Sequence, residues 1–270
     1  MAKIVFLGGG VRESILKYEL SKKHTVFAIN NSKELQENSD KNTSFEVLIA
    51  PLSGTDNEGI IKESEGLSLL KVMDKMPGTY LLIGAAKEIV AQKAKLQEIS
   101  VIELGQYDEL AWLNAIPTAE GTIQALMLEL GTTISGAKFL ILGAGRIALT
   151  LALRLKLLGA DVLIAARANA QIAKAKALTL RATELAVVKG SFEAIINTVP
   201  AAFLEQEFFL RNQTPLYVEL ASVSALKGPI DSNIKNLFLP GLPGKYAPKE
   251  AGAYLANTVP KLIDELLKGD

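Results

Sequence analysis

One stretch constrains the fold more than any other. Lys138-Phe139-Leu140-Ile141-Leu142 runs straight into Gly143-Ala144-Gly145-Arg146-Ile147-Ala148. An apolar run of β-prone residues, a G-x-G-x-x-A turn and an amphipathic helical stretch stand in the order that a βαβ unit requires. Gly143 permits the tight turn, Gly145 lets the backbone approach a pyrophosphate, and the small Ala148 allows close helix–strand packing. The helix N-terminus, opening at Arg146 and Ile147, offers free N–H groups and a positive dipole end to phosphates. The competing reading is a turn kept tight for packing alone.

The end of the next strand, Val162-Leu163-Ile164-Ala165-Ala166-Arg167, bears on which dinucleotide binds. An NAD site places Asp or Glu there for the ribose hydroxyls, and this chain has Ala166 and Arg167 instead. A guanidinium pairs with a 2′-phosphate in forked geometry, so NADP is expected, with NAD possible. The alternative for Arg167 is stacking on adenine or simple solvation. Asn197-Thr198-Val199-Pro200 ends a later strand on the nicotinamide side, and Ala221-Ser222 ends the one after.

The same alternation of short β runs and amphipathic helices fills the chain, which predicts an α/β protein of two doubly wound, Rossmann-like parallel sheets. Strands are expected at Lys3–Leu7, Thr25–Asn30, Phe45–Ala50, Tyr80–Gly84 and Val101–Glu103, and again at Lys138–Leu142, Asp161–Ala165, Ala194–Asn197, Leu216–Glu219 and Leu237–Leu239. Pro117 punctuates the chain, and Thr118-Ala119-Glu120 reads as the start of a hinge helix. The expected division is a flavodoxin-like substrate domain over 1–117 and a hinge helix with NAD(P)-binding domain over 118–249. A final helix, about 250–270, is expected to return to the first domain.

Composition narrows the function. With 270 residues, the chain is long enough for two cores. Its 29 Lys+Arg balance 29 Asp+Glu, which argues against a broad nucleic-acid footprint. No cysteine and a single histidine, His24, exclude a thiolate nucleophile and a His- or Cys-rich metal centre, so no metal is expected. No run approaches about 18–20 uncharged apolar residues, and the N-terminal MAKIVFLGGGVRES lacks the core and cleavage site of a signal peptide. A cytoplasmic homo-oligomer with a small-molecule substrate and no membrane partner is expected.

Two further segments carry charge at loops. Gly8-Gly9-Gly10-Val11-Arg12 places an arginine at a helix start, where it can hold a carboxylate or merely face solvent. Leu239-Pro240-Gly241-Leu242-Pro243-Gly244-Lys245-Tyr246-Ala247-Pro248-Lys249 is a stiff Pro/Gly loop with two lysines, suited to closing over an anion. Arg12, Thr118, Lys245 and Lys249 are the candidate substrate-binding residues. For proton transfer the composition leaves Glu120, Lys245 and Tyr246; Glu120, near the hinge, and Lys245 are the catalytic candidates. His24, between Lys23 and Thr25, lies away from them.

Ile116-Pro117-Thr118-Ala119-Glu120-Gly121-Thr122-Ile123, the turn at Gly143–Ala148, Ala165-Ala166-Arg167, Asn197-Thr198-Val199-Pro200 and Pro240-Gly241-Leu242-Pro243-Gly244 with Ala247-Pro248-Lys249 together resemble the family of dipicolinate synthase A subunits. Order and spacing fit over nearly the whole chain. Gly10 and Val11 replace the Asp and Ala of the family's G-G-D-A-R turn. Val223-Ser224-Ala225-Leu226-Lys227-Gly228 stands where the family has an Arg-Pro-Gly-Gly run, leaving Lys227 to carry charge there. The resemblance implies an NAD(P)-dependent oxidation of hydroxytetrahydrodipicolinate, the product of dihydrodipicolinate synthase, to the dipicolinate of bacterial spores, beside a flavoprotein-like B subunit. Two rivals stay open: an NADP-dependent dehydrogenase of another small carboxylate, and a non-catalytic NADP-binding subunit.

Overall fold

In the computed structural model, residues 1–39 and 45–268 are described, so the last two positions of the expected C-terminal helix lie outside the described residues. The chain forms two units, Met1–Asn114 with Ala247–Asp270, and Ala115–Tyr246.

The first unit runs β1 (Lys3–Leu7), α1 (Val11–Ser21), β2 (Thr25–Ile29), α2 (Ser32–Ser39), β3 (Phe45–Ile49), α3 (Leu69–Lys75), β4 (Gly78–Ile83), α4 (Glu88–Leu96) and β5 (Ser100–Glu103). Its five strands are all parallel, in the order β2-β1-β3-β4-β5. The strands read as near-continuous apolar runs because both faces of the sheet are covered. Alternate side chains serve opposite faces. Val5, Leu7, Leu48 and Leu81 meet Val72, Met73 and Val90 of α3 and α4. Ile4, Phe6, Val47, Ile49 and Leu82 meet Leu16 and Leu20 of α1 and a layer from the C-terminal helix.

The second unit runs β6 (Lys138–Leu142), α6 (Arg146–Leu157), β7 (Asp161–Ala166), α7 (Asn169–Ala177), β8 (Arg181–Glu184), β9 (Gly190–Ser191), β10 (Ala194–Asn197), α8 (Gln206–Arg211), β11 (Asn212–Gln213), β12 (Leu216–Glu219), β13 (Lys235–Phe238) and α9 (Leu242–Tyr246). Six parallel strands stand in the order β13-β12-β10-β6-β7-β8, which is the nucleotide-binding order with its reversal between β6 and β10. The edge strand β8 was not expected: only its Ala and Thr are half-buried, so it lacks the apolar run that marks the inner strands.

Two long helices differ from the expectation at their ends. The helix α5 spans Asp108–Leu130 without a break and contains Pro117. Thr118 is therefore inside a helix, not at its start. Proline removes one N–H from the ladder, but Ala115, Ala119, Thr122 and Leu126 continue a buried stripe across it, and that packing outweighs the lost bond. The final helix α10, Pro248–Leu266, opens with proline at its first turn and packs on α1. The crossing is close because Gly252 has no side chain: a Cβ there would lie 2.7 Å from Ile15 Cδ1 and 3.1 Å from Arg12 Cα.

His24 sits at the start of β2, its side chain buried, with Nδ1 accepting from the Ala2 amide at 3.3 Å. Burial lowers its pKa below 6.5, against the opposing pull of Asp264 and Glu46; Lys23 and the N-terminus push the same way as burial. The folded protein thus prefers the neutral ring. As pH falls through about 6.5 the unfolded chain takes up the proton first, and stability declines. His24→Asn is expected to flatten the slope of the thermal midpoint between about pH 6.5 and pH 5, which melts across that range would measure.

Candidate cofactor site

The reversal between β6 and β10 leaves a crevice at the carboxyl ends of the strands of the second unit. It encloses about 340 Å³ and is walled by Gly143, Ala144 and Gly145, by Ala165–Ala168 with Gln171 and Leu185, and by Thr198, Val199, Pro200 and Phe203. Of the expected cofactor residues, Gly143, Gly145, Arg167, Thr198, Val199 and Pro200 are thus brought together. Arg146 and Ile147 lie in the first turn of α6, half-buried and outside the wall. Ala221 and Ser222 follow β12 and are not part of the wall either.

The two glycines have different reasons to be there. Gly143 has φ +101°, and a Cβ on it would lie 2.6 Å from Thr198 Oγ1 and 2.9 Å from Val199 Cγ2. That position needs glycine whatever binds. Gly145 has ordinary φ, and a Cβ there would meet nothing within 4 Å. It also stands at the N-cap of α6 with no side-chain cap hydrogen bond, at the helix end whose dipole and amides favour an anion. Free space beside an uncapped helix start fits the pyrophosphate of a dinucleotide. Arg167 is exposed, its guanidinium 5.5 Å from the Phe203 ring centroid, and no acid lines the crevice.

A buried carboxylate holds the loops in place. Glu219, 1% exposed, ends β12 beside Asn197 at the end of β10. Its Oε1 accepts from Asn197 Nδ2 at 2.7 Å and the Ala221 amide at 3.1 Å; its Oε2 accepts from Tyr217 OH at 2.8 Å and the Ala225 amide at 2.8 Å. Asn197 in turn donates to the Val199 carbonyl at 2.9 Å and accepts from the Val199 amide at 3.1 Å. One carboxylate therefore fixes both the 197–199 and the 221–225 segments. Burial, with the carboxylate beside it, pushes the Tyr217 pKa far up and keeps the phenol a donor. The sequence gives only a hint of Glu219: an acid at the end of an otherwise apolar strand.

The remaining candidates are scattered. Glu120 is 63% exposed, 3.8 Å from Arg154 Nε, in an apolar groove between α5 and α6 that also exposes Met127, Leu128, Leu157 and Leu158. It does not reach the cofactor crevice, because its helix face turns away from the buried stripe. Thr118 is buried in α5, where its carbonyl accepts from Thr122 Oγ1 at 2.8 Å. Lys245 and Tyr246 are exposed on α9, which packs on α5 where Gly121 leaves room: a Cβ there would lie 3.1 Å from the Tyr246 ring. The two motif segments of the second unit thus meet. Lys249 is exposed in the first turn of α10. Lys227 does not supply charge to the crevice: its Nζ is 2.7 Å from Glu205 Oε1, which lowers the Glu205 pKa. Arg12 is buried beside Glu13 and Glu63 in the first unit. Among the described residues, no cluster of three or more His, Asp or Glu side chains is arranged to hold a metal, and no helix is long and apolar enough to cross a membrane.

No family model matches the chain. It is similar to the A subunit of dipicolinate synthase from Bacillus subtilis (strain 168), with 34% identity over 235 residues that cover 81% of this chain and 78% of that one. The crystal structure of the Bacillus subtilis dipicolinate synthase A chain superposes with a TM-score of 0.85 at 28% identity, covering 100% of this chain and 98% of that one. That of its Bacillus halodurans counterpart, also a dipicolinate synthase, gives 0.81 at 26% identity, over 97% of each chain.

Proposed function

Because the chain belongs to the family of dipicolinate synthase A subunits and is an NAD(P)-dependent oxidoreductase, we propose that it forms dipicolinate from hydroxytetrahydrodipicolinate, with NADP as cofactor and, for partner, a flavoprotein-like B subunit. What carries the reading is the likeness extending across both units while the second keeps a glycine-lined crevice of dinucleotide type.

The conversion removes water, a hydride and a proton from the ring and leaves an aromatic pyridine. A nicotinamide in the crevice supplies the hydride acceptor. The protein does the rest. Gly143 and Gly145 keep the backbone clear for the pyrophosphate, and Thr198, Val199 and Pro200, held from below by Asn197 and Glu219, border the nicotinamide end. Arg12 and Lys249 hold carboxylates through charge-assisted hydrogen bonds. Lys245, on the exposed face of α9, holds and moves the proton at its ε-amino group. Glu120, engaged with Arg154, is left out of this assignment.

The test supplies fresh dihydrodipicolinate synthase product with NADP or NAD, and follows dipicolinate by its ultraviolet absorbance with this chain and the B-type flavoprotein omitted in turn. Product that requires this chain is expected; no product from a preparation that binds NADPH overturns the reading. The cofactor preference is tested separately. A guanidinium on a 2′-phosphate is a charged hydrogen-bonding pair, so Arg167→Ala is expected to weaken NADPH by about 10- to 100-fold. NADH should change little, and equal weakening of both would contradict the NADP assignment.

A further inference from the structure

We propose that the first unit carries a carboxylate subsite of its own where β1 and β3 end, formed by Arg12 with the hydroxyls of Ser53 and Thr55, and that the Glu63 side chain holds the ligand's place on Arg12 until the ligand displaces it. The inference rests on the small-dicarboxylate reading above and adds three residues to it.

The strand order β2-β1-β3-β4-β5 reverses between β1 and β3, and such a reversal opens a crevice at the carboxyl ends of the strands. Three segments meet there and are tied to one another. The Gly9 amide donates to the Glu63 carbonyl at 2.9 Å, the Lys62 amide to the Gly54 carbonyl at 3.0 Å, and the Leu52 amide to Glu13 Oε1 at 3.2 Å. The glycine turn, the loop after β3 and the loop carrying Glu63 therefore form one cluster.

Within this cluster, polar groups are buried without hydrogen bonds. Arg12, 8% exposed, lies beside them with its guanidinium only loosely paired. Its contacts are two longer ion pairs, 3.6 Å to Glu13 Oε1 and 3.5 Å to Glu63 Oε1. The hydroxyls of Ser53 and Thr55 are buried and unpartnered, and Thr55 as a whole is 1% exposed. Native interiors leave few such groups unpaired, and each calls for an explanation. A ligand carboxylate gives the guanidinium and the hydroxyls an acceptor together.

The two acids beside Arg12 are not equivalent. Glu13 is committed: its Oε2 accepts from the Gly10 amide at 3.0 Å and its Oε1 from Leu52. Glu63 accepts no hydrogen bond through its side chain, is 38% exposed, and lies over the glycine turn with Oε2 2.9 Å from where a Gly10 Cβ would stand. Its own backbone has φ +59°, a strained conformation for a non-glycine residue. A carboxylate held there by charge alone swings to water, and a ligand carboxylate takes its place one for one, so the charge around Arg12 stays the same. Gly252 lets the first turns of α10 close on Arg12.

Calorimetric titration with dipicolinate, glutarate and acetate tests this on the intact protein. The wild type is expected to bind a dicarboxylate. The double variant Ser53→Ala/Thr55→Val is expected to bind about 10-fold more weakly, as loss of hydrogen bonds to a charged group implies. Its thermal midpoint should stay level or rise, because hydroxyls without partners contribute nothing to the free fold. Glu63→Gln, a weaker competitor, is expected to bind about 3-fold more tightly. Wild-type affinity in either variant, a lowered midpoint in the double variant, or no binding of any of the three acids by the wild type overturns the proposal. No turnover enters these readouts. Binding of glutarate but not dipicolinate sustains the subsite and counts against the dipicolinate reading instead.

Discussion

Gly143→Ala is expected to weaken dinucleotide binding by about 100-fold, equivalent to about 2.7 kcal/mol. The added methyl group would stand 2.6 Å from Thr198 Oγ1 and 2.9 Å from Val199 Cγ2, and both neighbours wall the crevice. Thr198 cannot yield freely, since its hydroxyl donates to the Leu142 carbonyl at 2.8 Å. Alanine at φ +101° adds strain of its own, of order 1–3 kcal/mol, so the thermal midpoint should fall as well. Gly145→Ala separates the two effects. Its methyl group enters open space at an ordinary φ, so the midpoint should hold while the pyrophosphate loses its approach. Fluorescence titration with NADPH and thermal melts of both variants decide the matter. Wild-type affinity in the Gly143 variant would falsify the account of the turn.

Glu219→Ala is expected to destabilise the second unit strongly. It leaves Asn197 Nδ2, the Tyr217 hydroxyl and the Ala221 and Ala225 amides without their common acceptor. A buried donor stripped of its partner costs roughly 1–3 kcal/mol, so even at the low end the four together cost about 4 kcal/mol. In a unit of this size that lowers the midpoint by about 10 °C or more. Tyr217→Phe removes one donor and leaves the carboxylate three, so it should cost only about 1 kcal/mol. A Glu219→Ala protein that melts within a few degrees of the wild type would show that the network does not hold these loops.

Much of the fold was legible because burial and strand identity coincide. Lys138–Leu142, Ala194–Asn197 and Leu216–Glu219 are inner strands covered on both faces, and their apolar runs mark them to the residue. Where burial is partial the signal fails. The edge strand Arg181–Glu184 has exposed charges at both ends and reads as a loop. Pro117 misleads for the opposite reason: local chemistry asks for a break, and the buried stripe from Ala115 to Leu126 overrides it. The glycine turn was readable because its requirements are backbone requirements, which a short motif expresses in full. Glu120 and Glu219 were not, because an acid's role depends on what folds over it. The first, near a conspicuous motif, faces solvent; the second, at an inconspicuous strand end, organises two loops.

The return of α10 to the first unit has a consequence for the order of events during synthesis. Leu255, Val259 and Ile263 cover the face of the first sheet that bears Ile4, Phe6, Val47, Ile49 and Leu82. Those residues leave the ribosome early, whereas their cover follows only after the whole of the second unit. Domains ordinarily fold in the order they emerge, but here the unit begun first is completed last. Until its closing helix arrives, that face of the sheet has only α1, through Leu16 and Leu20, to cover it.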